Sequence, residues 1–431
     1  MFDIVLIICV LSIWIASTEA MVIMMGAIRF IHRQNKQPLA FPDNYEQLPT
    51  VTVMVPAHNE EIVIAATVKH ILHLNYPPEK VQVIVVADNC SDDTAGRLRE
   101  LKANPLYADR DFMIMERKGT GGKSGALNDA IEFAKGEWIC IYDADAAPEK
   151  NALMFLAQKS LENPEKYGAV FGRNKARNRN QNFLSKCINL ELVTSQRIYH
   201  TGLWELFKIG TIPGTNYIIK TELIKELGGW DTQAITEDTA VSFEIMAKGQ
   251  LIALAPQAEA YQQEPESLKV YMKQRERWGK GNLRVVLDNF HHLFDSSHWR
   301  IKVLVAYYAA SYFWFLLAVI ILDLAFVINL GYLMVQLFAP GVIPPFQFDP
   351  EVMVYLLISG GLMYFIYVLQ INLALASDFG QSTIRNFVLS CVSFYTYAQL
   401  FLVLSIKAFY NMVVDKITGR QSKWYKTQRF G

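Results

Sequence analysis

The sequence has no net charge and no cysteine framework, and each absence excludes a class of protein. Lysine and arginine number 41 together, as do aspartate and glutamate, so no basic field favours a nucleic acid partner. The five cysteines are scattered and form no C-x-x-C pair, which argues against a disulfide scaffold or a zinc site. At 52% hydrophobic residues, the chain is too apolar to be disordered.

Charge is also scarce near both ends of the chain. Residues 301–413 contain seven charged side chains in 113 positions, and residues 4–28 contain only Glu19. Such stretches are long enough to cross a hydrocarbon core of about 30 Å. Buried helices of a large soluble protein are the less favoured alternative. We predict a retained N-terminal anchor and three later passes, at about 303–335, 352–376 and 386–410.

Basic residues predict the orientation of these segments. Four of them follow the first apolar stretch and place the next residues in the cytoplasm: Arg29, His32, Arg33 and Lys36. The loop 338–351 contains no lysine or arginine and suits the outside. Three further passes would leave the C-terminal tail outside, yet it carries Lys416, Arg420, Lys423, Lys426 and Arg429. Either the polar last segment is re-entrant or the tail departs from the positive-inside rule, and both alternatives stay open here.

Between about residues 41 and 296 the pattern changes to alternating strands and helices. Short β-branched runs at 51–55, 81–86 and 138–142 predict strands, and residues 60–74 predict a helix. This alternation indicates a mainly parallel sheet with helical crossovers. Ligands bind at the carboxyl ends of the strands in such sheets, so the residues that follow each strand are candidates for a site.

Carboxylates follow all three predicted strands. Glu60 comes after the first strand, Asp88 after the second, and Asp143 and Asp145 after the third. A D-x-D pair can approach one hard divalent cation, and Mg²⁺ or Mn²⁺ would there neutralise a leaving diphosphate. Asp88 can hydrogen-bond a nucleobase or ribose. Each residue alone is equally well explained as a solvated acidic turn, but three such strand ends together favour a site.

A glycine-rich basic loop at residues 116–128 runs into a predicted helix. Its backbone N–H groups and Lys123 can meet a phosphate. The loop is not a Walker A motif, because Arg117 stands where that motif needs its first glycine. A flexible surface turn explains the loop about as well.

Two later motifs carry further reactive groups. In Thr236-Glu237-Asp238, a carboxylate opposite the donor crevice can act as a general base. Arg277 can hold a diphosphate through two N–H groups, and Trp278 can stack on a sugar ring. In isolation, the first motif is better explained as the start of a helix and the second as a membrane-surface feature.

Taken in order, these motifs resemble those of the family 2 glycosyltransferases, and more narrowly its membrane-embedded processive branch. That branch contains the cellulose, hyaluronan, chitin and poly-N-acetylglucosamine synthases, and Q-x-x-R-W is its most discriminating motif. The resemblance covers residues 50–282 by motif and the flanking spans by layout. The series is Pro56-Ala57-His58-Asn59-Glu60, Asp88, Lys123, Asp143-Ala144-Asp145, Thr236-Glu237-Asp238 and Gln274-x-x-Arg277-Trp278.

The resemblance implies a fold and a role for each matching residue. The fold would be an α/β GT-A (Rossmann-like) cytoplasmic glycosyltransferase domain combined with α-helical transmembrane segments. Asp238, with Glu237 beside it, would be the catalytic base, and Asp145 with Asp143 would hold Mg²⁺ or Mn²⁺. The donor would contact Ala57, Glu60, Asp88, Lys123 and Asp143. The diphosphate and the acceptor would contact Gln274, Arg277 and Trp278.

The expected protein is a plasma-membrane enzyme in three parts: 1–40 (anchor), 41–296 (cytoplasmic catalytic domain) and 297–431 (membrane region and tail). It would polymerise a β-linked polysaccharide from a UDP-sugar, with UDP-GlcNAc slightly favoured over UDP-glucose, and move the chain across the bilayer. Amphipathic segments at 183–200 and 283–296 would lie at the membrane surface. A small accessory membrane subunit is a further expected partner. The alternatives are single-sugar transfer to a lipid carrier and a nonenzymatic transporter.

Overall fold

The computed structural model describes residues 2–36, 41, 45–339 and 350–418. Most of the predicted outer loop (340–349) and most of the basic tail (419–431) lie outside the described residues. The described residues form an α/β domain that packs against long apolar helices.

One eight-stranded sheet lies at the centre of the α/β domain. Its strands are β1 Val51–Ala57, β2 Val81–Asp88, β3 Asp111–Arg117, β4 Trp138–Ile141, β5 Ala147–Pro148, β6 Tyr167–Ala176, β7 Tyr217–Lys220 and β8 Leu251–Gln262. Their order is β3-β2-β1-β4-β7-β6-β8-β5. The first four strands are parallel, as are β6 and β8, but β7 is antiparallel to β4 and β6. The predicted parallel sheet is therefore correct for its first half, and the second half is mixed.

Nine helices of the α/β domain cover the sheet or extend from it, within the described residues. They are α2 Ile64–Leu72, α3 Thr94–Lys102, α4 Gly122–Ile131, α5 Ala152–Leu161, α6 Phe183–Thr194, α7 Thr201–Phe207, α8 Thr221–Glu226, α9 Glu237–Ala247 and α10 Leu268–Asp288. The apolar helices are α1 Phe2–Lys36, α11 Trp299–Ala309, α12 Leu316–Phe338, α13 Pro350–Ala376, α14 Ile384–Tyr395 and α15 Tyr397–Thr418. π-helical turns join α6 to α7 and α11 to α12.

Strand β1 extends two residues beyond its predicted end, through Pro56. Residues Val51–Met54 pair with both β2 and β4, but only β2 continues beside the strand after Met54. A proline lacks an N–H donor and is tolerated here because one side of the strand is no longer paired. The strand therefore ends at Ala57, on the edge where the site lies.

Four helical segments are long and apolar enough to cross a membrane: Ile4–Lys36, Trp299–Phe338, Val354–Ala376 and Ile384–Asp415. The first three match the predicted anchor and the first two predicted passes. The fourth is interrupted, because Thr396 separates α14 from α15, so the pass expected at 386–410 is not one continuous helix. The predicted surface segment 183–200 forms α6 and its π turn, and its Leu190 and Val193 pack with Ala374 of α13.

A buried charge cluster joins the end of α13 to the sheet. Asp378 Oδ1 lies 3.1 Å from Arg173 Nη1, 3.5 Å from Lys175 Nζ and 3.5 Å from Arg197 Nη2. The Asp378 side chain is 2% exposed and that of Arg173 is 6% exposed. Glu259 also pairs with Arg173 and Lys175, so three cations and two carboxylates form this cluster at the junction between the sheet and the membrane helices.

We expect Asp378→Ala to destabilise the protein strongly, because three cations would remain buried without their shared carboxylate. Breaking a buried pair from one side typically costs about 3–5 kcal/mol. Thermal unfolding in detergent would measure the loss. Glu226→Ala is the control, since the Glu226–Lys248 pair is about half exposed and such pairs contribute about 1 kcal/mol or less. Equal melting temperatures for the two variants would contradict the prediction.

Candidate active site

The carboxyl ends of β1, β2 and β4 open into a crevice of about 300 Å³. Every residue that the sequence analysis assigned to the site lines this crevice. The Thr236-Glu237-Asp238 motif starts α9, as expected for a helix start, and its side chains also line the crevice. The structure thus brings these side chains together, while their chemical roles stay predictions. The lining set is Ala57, Glu60, Asp88, Lys123, Asp143, Asp145, Glu237, Asp238, Gln274, Arg277 and Trp278.

Asp88 is held by an arginine from the neighbouring strand. Its Oδ1 accepts hydrogen bonds from Arg117 Nη1 at 2.6 Å and from Asn89 Nδ2 at 3.0 Å. Arg117 also contacts Asp129, so the guanidinium bridges two carboxylates. The ion pair fixes the Asp88 carboxylate at the crevice wall, where it can accept a hydrogen bond from a nucleobase or a ribose hydroxyl.

Lys123 lies at the first turn of α4 and connects three parts of the crevice. Its Nζ is 2.8 Å from Asp143 Oδ1, 3.0 Å from Glu237 Oε1 and 2.8 Å from the Gly214 carbonyl oxygen. Burial opposes the charge of Lys123, but the two carboxylates outweigh it and hold its pKa well above the ordinary value. A bound phosphate would therefore compete with Asp143 and Glu237 for this ammonium group.

The two carboxyl groups at the start of α9 differ in proton affinity. Burial and the neighbouring Glu237 carboxylate raise the pKa of Asp238 to about 7. Glu237 is also buried, but Lys123 outweighs that effect and lowers the pKa of Glu237. Near neutral pH, Asp238 is therefore the better proton acceptor of the pair.

The loop before β7 approaches Asp238 closely at Gly214. Gly214 has a φ of +84°, and a Cβ atom there would lie 2.8 Å from Asp238 Oδ2. The backbone conformation favours glycine, and a larger residue would force the Asp238 carboxylate to move. Gly214 thus packs against the proposed base.

Asp145 and Asp143 provide the oxygen ligands that a hard divalent cation prefers. Asp145 is 3% exposed, and its Oδ2 accepts a hydrogen bond from the Gln263 N–H at 3.2 Å. Two carboxylates fit Mg²⁺ or Mn²⁺ when substrate phosphates complete the coordination. In the described parts of the chain, the one set of three side chains with converging ligand atoms lies elsewhere, at His291, His292 and Asp295.

Helix α10 contributes the Q-x-x-R-W side chains from one face. Arg277 Nη1 donates to the Ile235 carbonyl oxygen at 3.3 Å, which holds the guanidinium beside α9. The Gln274 Oε1 atom is buried and accepts no hydrogen bond from the described residues. It can therefore accept one from a ligand hydroxyl. Trp278 lines the crevice and also a second cavity beyond it.

Sequence reasoning missed or misassigned three contributors to this site. Arg117 was noted only as part of a basic loop, although it pairs in register with Asp88 across β2 and β3. Gln263 follows β8, and no motif marks its backbone contact with Asp145. The close approach of Gly214 to Asp238 has no counterpart in any sequence motif. Each contact depends on strand order or loop approach, which a motif scan does not reveal.

A family model described as "Glycosyltransferase like family 2" matches residues 49–281, more than half of the chain. The chain belongs to glycosyltransferase family 2. This nucleotide-sugar glycosyltransferase is 34% identical over 419 residues to "Probable glycosyltransferase YdaM" of Bacillus subtilis, covering 97% of this chain and 96% of the relative. It is 29% identical over 274 residues to the poly-beta-1,6-N-acetyl-D-glucosamine synthase of Staphylococcus aureus (strain COL), covering 63% and 64% respectively.

The fold of this family 2 glycosyltransferase is similar to that of a solved mannosyltransferase. The mannosyltransferase PcManGT from Pyrobaculum calidifontis, in complex with GDP-Man and Mn²⁺, superposes with a TM-score of 0.63 at 19% identity. The match covers 96% of this chain and 100% of that one. The predicted GT-A fold is therefore confirmed, and the match to the family model confirms the predicted enzyme class.

Proposed function

We propose that this protein is a processive, inverting glycosyltransferase that builds a β-linked polysaccharide from a UDP-sugar and feeds it into the membrane region. The position of Trp278 carries this proposal, because this residue lines two cavities. One is the carboxylate-lined crevice. The other, here called the acceptor cavity, measures about 620 Å³ and lies between α10 and the membrane helices.

The acceptor cavity has the lining that a sugar chain needs. Tyrosines from the α/β domain and from the membrane helices surround it, among them Tyr271, Tyr307, Tyr308, Tyr312, Tyr367 and Tyr397. Their rings offer apolar faces to pyranose rings, and their hydroxyl groups can bond sugar hydroxyls. A chain whose end lies at Trp278 would extend into this cavity and stay bound between successive transfers. That retention is the physical basis for processivity.

In the proposed reaction, Asp238 takes the proton from the acceptor hydroxyl at Trp278. The acceptor oxygen attacks the anomeric carbon from the face opposite the diphosphate, so the configuration inverts. The bond from that carbon to the diphosphate oxygen breaks, and UDP leaves with the electron pair. Arg277 offsets the charge on UDP through its N–H groups. Mg²⁺ or Mn²⁺ at Asp145 and Asp143 would supply further neutralisation of the leaving group.

Two comparisons support the finer choices of donor and metal. The Staphylococcus relative is a poly-beta-1,6-N-acetyl-D-glucosamine synthase, which favours UDP-GlcNAc over UDP-glucose as the donor. The Pyrobaculum enzyme is in complex with GDP-Man and Mn²⁺, which supports the proposal of a divalent cation in this protein.

The proposed arrangement in the cell follows the distribution of charge. Arg29 and Arg33 at the end of α1 lie next to Glu205 of the α/β domain, so the basic flank and that domain share one side of the membrane. By the positive-inside rule this side is the cytoplasm. We therefore assign 1–40 as anchor, 41–296 as cytoplasmic catalytic domain and 297–431 as membrane region in the plasma membrane. A small accessory membrane subunit stays part of the proposal.

Purified protein in lipid vesicles provides the test. Radiolabelled UDP-GlcNAc and UDP-glucose are offered separately with Mg²⁺ or Mn²⁺, and the products are sized on a gel. We expect label of high molecular weight from UDP-GlcNAc, and none when Asp238 is replaced by asparagine. Glu226→Gln, on the exposed surface, is the control variant and should leave the product unchanged.

Other outcomes identify the alternatives. Label confined to a small, lipid-extractable product would overturn processivity in favour of transfer to a lipid carrier. High-molecular-weight label from UDP-glucose alone would overturn the donor assignment and keep the mechanism. No label from either donor with folded protein would overturn the claim that this chain alone is a synthase.

A further inference from the structure

The charge count does not decide where the last apolar segment, Ile384–Thr418, lies relative to the membrane. Its first helix, α14, has 12 residues. At about 1.5 Å per residue it is roughly 18 Å long, too short for a hydrocarbon core of about 30 Å. Thr396 then interrupts the helix before α15 begins. We call this pair of helices the C-terminal hairpin.

The first arm of the C-terminal hairpin packs on the half of α13 nearest the catalytic domain. Asn372 Nδ2 donates to Ser390 Oγ at 3.0 Å, and the Tyr367 and Ser393 hydroxyl oxygens lie 3.0 Å apart. The rings of Tyr364 and Phe394 have centroids 5.4 Å apart. These contacts begin close to Asp378 and end about halfway along the 27 residues of α13.

The second arm, α15, contacts helix α10 of the catalytic domain both near the start and near the end of α15. At its start, the Tyr397 and Tyr271 rings have centroids 5.5 Å apart. Near its end, Asp415 Oδ2 lies 2.7 Å from Lys280 Nζ. Helix α10 carries eight charged side chains among 21 residues, so it cannot lie in hydrocarbon. Helix α15 stays beside α10 over this length, so it lies with α10 at the membrane surface and not in the hydrocarbon core.

The middle of α15 also makes close contacts with α10. Lys407 Nζ lies 2.9 Å from Glu276 Oε2, and Asn411 donates a hydrogen bond to the same carboxylate. A Cβ atom at Gly279 would lie 3.1 Å from Ala408 Cβ, so the glycine allows the two helices to approach closely. If α15 crossed the membrane, Lys407 would lie near the bilayer centre, where a charge is costly.

We propose that the C-terminal hairpin is re-entrant, stays on the catalytic side of the membrane and holds α10 against the active site. Three of the α10 residues that contact α15, at positions 276, 279 and 280, lie roughly opposite the Q-x-x-R-W face of the helix, at about 100° per residue. Helix α15 therefore supports the back of the face that lines the crevice. Tyr271, the contact at the start of α15, lies on the Q-x-x-R-W side instead. Glu276 and Lys280 become positioning residues for the Q-x-x-R-W side chains.

This arrangement removes the conflict in the charge count. With α1, α11–α12 and α13 as the three crossings, the α/β domain and Thr418 lie on one side of the membrane. The basic tail that starts at Lys416 then begins on the cytoplasmic side, as the positive-inside rule requires.

Cysteine labelling tests the topology without reference to any activity. Three exposed positions are replaced singly: Ile417→Cys in α15, Leu106→Cys in the catalytic domain and Phe338→Cys at the far end of α12. A membrane-impermeant maleimide is applied to intact and permeabilised cells, with the unsubstituted protein as blank. We expect Ile417→Cys to label like Leu106→Cys, only after permeabilisation, and Phe338→Cys to label in intact cells.

Labelling of Ile417→Cys in intact cells would overturn the re-entrant assignment. If that cysteine reacts in neither condition, a C-terminal green fluorescent protein decides the question, because it fluoresces only in the cytoplasm. A fluorescent fusion supports the proposal, and a correctly expressed but dark fusion overturns it.

A charge exchange tests the positioning role, which rests on the proposed function. Lys280→Asp and Asp415→Lys each replace an attractive pair by a repulsive one. The double variant restores an attractive pair with the two charges exchanged. We expect each single variant to shorten the polymer on the order of tenfold at a near-normal initial rate of UDP release, and the double variant to recover length. Singles with full-length polymer, or a double variant as short as the singles, would overturn this role.

Discussion

Replacing Asp238 by asparagine is expected to abolish sugar transfer while leaving donor binding intact. A positioned general base contributes about 10²–10⁴-fold to a rate, and asparagine cannot take the proton. The substitution keeps the size of the side chain and the oxygen that accepts the Thr239 N–H at 2.7 Å, so the start of α9 should persist. Initial rates of label incorporation measure the first effect, and calorimetric titration with the nucleotide sugar measures the second.

A matched control distinguishes loss of the base from a general loss of negative charge. Asp231 is exposed on the loop before α9, and Asp231→Asn should transfer sugar at the rate of the unmodified protein. If Asp238→Asn keeps transfer within tenfold of that rate, Asp238 is not the base. In that case Glu237 is not a ready substitute, because Lys123 lowers its pKa.

The environment of Asp238 also predicts the pH dependence of transfer. A base acts in its deprotonated form, and burial with the Glu237 carboxylate raises the pKa of Asp238 to about 7. The rate should therefore rise as pH increases through about 7 and level off above it, with a fall of about tenfold per unit well below that pKa. A rate at saturating donor that is flat between about pH 5.5 and 8 would contradict this assignment.

Much of the candidate site could be predicted from sequence because its residues follow strands. Ala57 and Asp88 end β1 and β2, and Asp143 comes two residues after β4. The carboxyl ends of parallel strands share one edge of a sheet. The α9 and α10 motifs were placed by family resemblance, since no local pattern indicates that two distant helices face the same crevice.

Long-range contacts were beyond the sequence patterns. Arg117 reaches Asp88 only because β3 is the neighbour of β2 in the sheet. The sequence of neither strand indicates which strands lie side by side. Lys123 was expected to meet phosphate, yet it contacts two carboxylates that lie about 20 and 114 residues further along the chain. The polar residues of the segment 386–410 left a re-entrant path open, but they do not mark Thr396 as the point where the helix is interrupted.

Removing divalent cations is the second change expected to have a large effect. Chelation should stop transfer, and Mg²⁺ or Mn²⁺ should restore it in the unmodified protein. Asp145→Asn should lower the rate by about 10²-fold or more at the same metal concentration, because a cation at the diphosphate stabilises charge by several kcal/mol. Metal titrations of initial rate measure both effects. Asp111→Asn, at the exposed start of β3, is the control variant.

Asp143 should respond differently from Asp145, and the difference tests which carboxylate binds the ion. Asp143 lies 2.8 Å from Lys123 Nζ, so binding a cation there requires Lys123 to move toward the phosphates or toward Glu237. Asp145 is 3% exposed and accepts a hydrogen bond from the Gln263 N–H, so it is already held at the crevice wall. Asp143→Asn should therefore shift the metal concentration for half-maximal rate less than Asp145→Asn does. Equal shifts would mean that Asp143 exchanges Lys123 for the ion whenever the donor is bound.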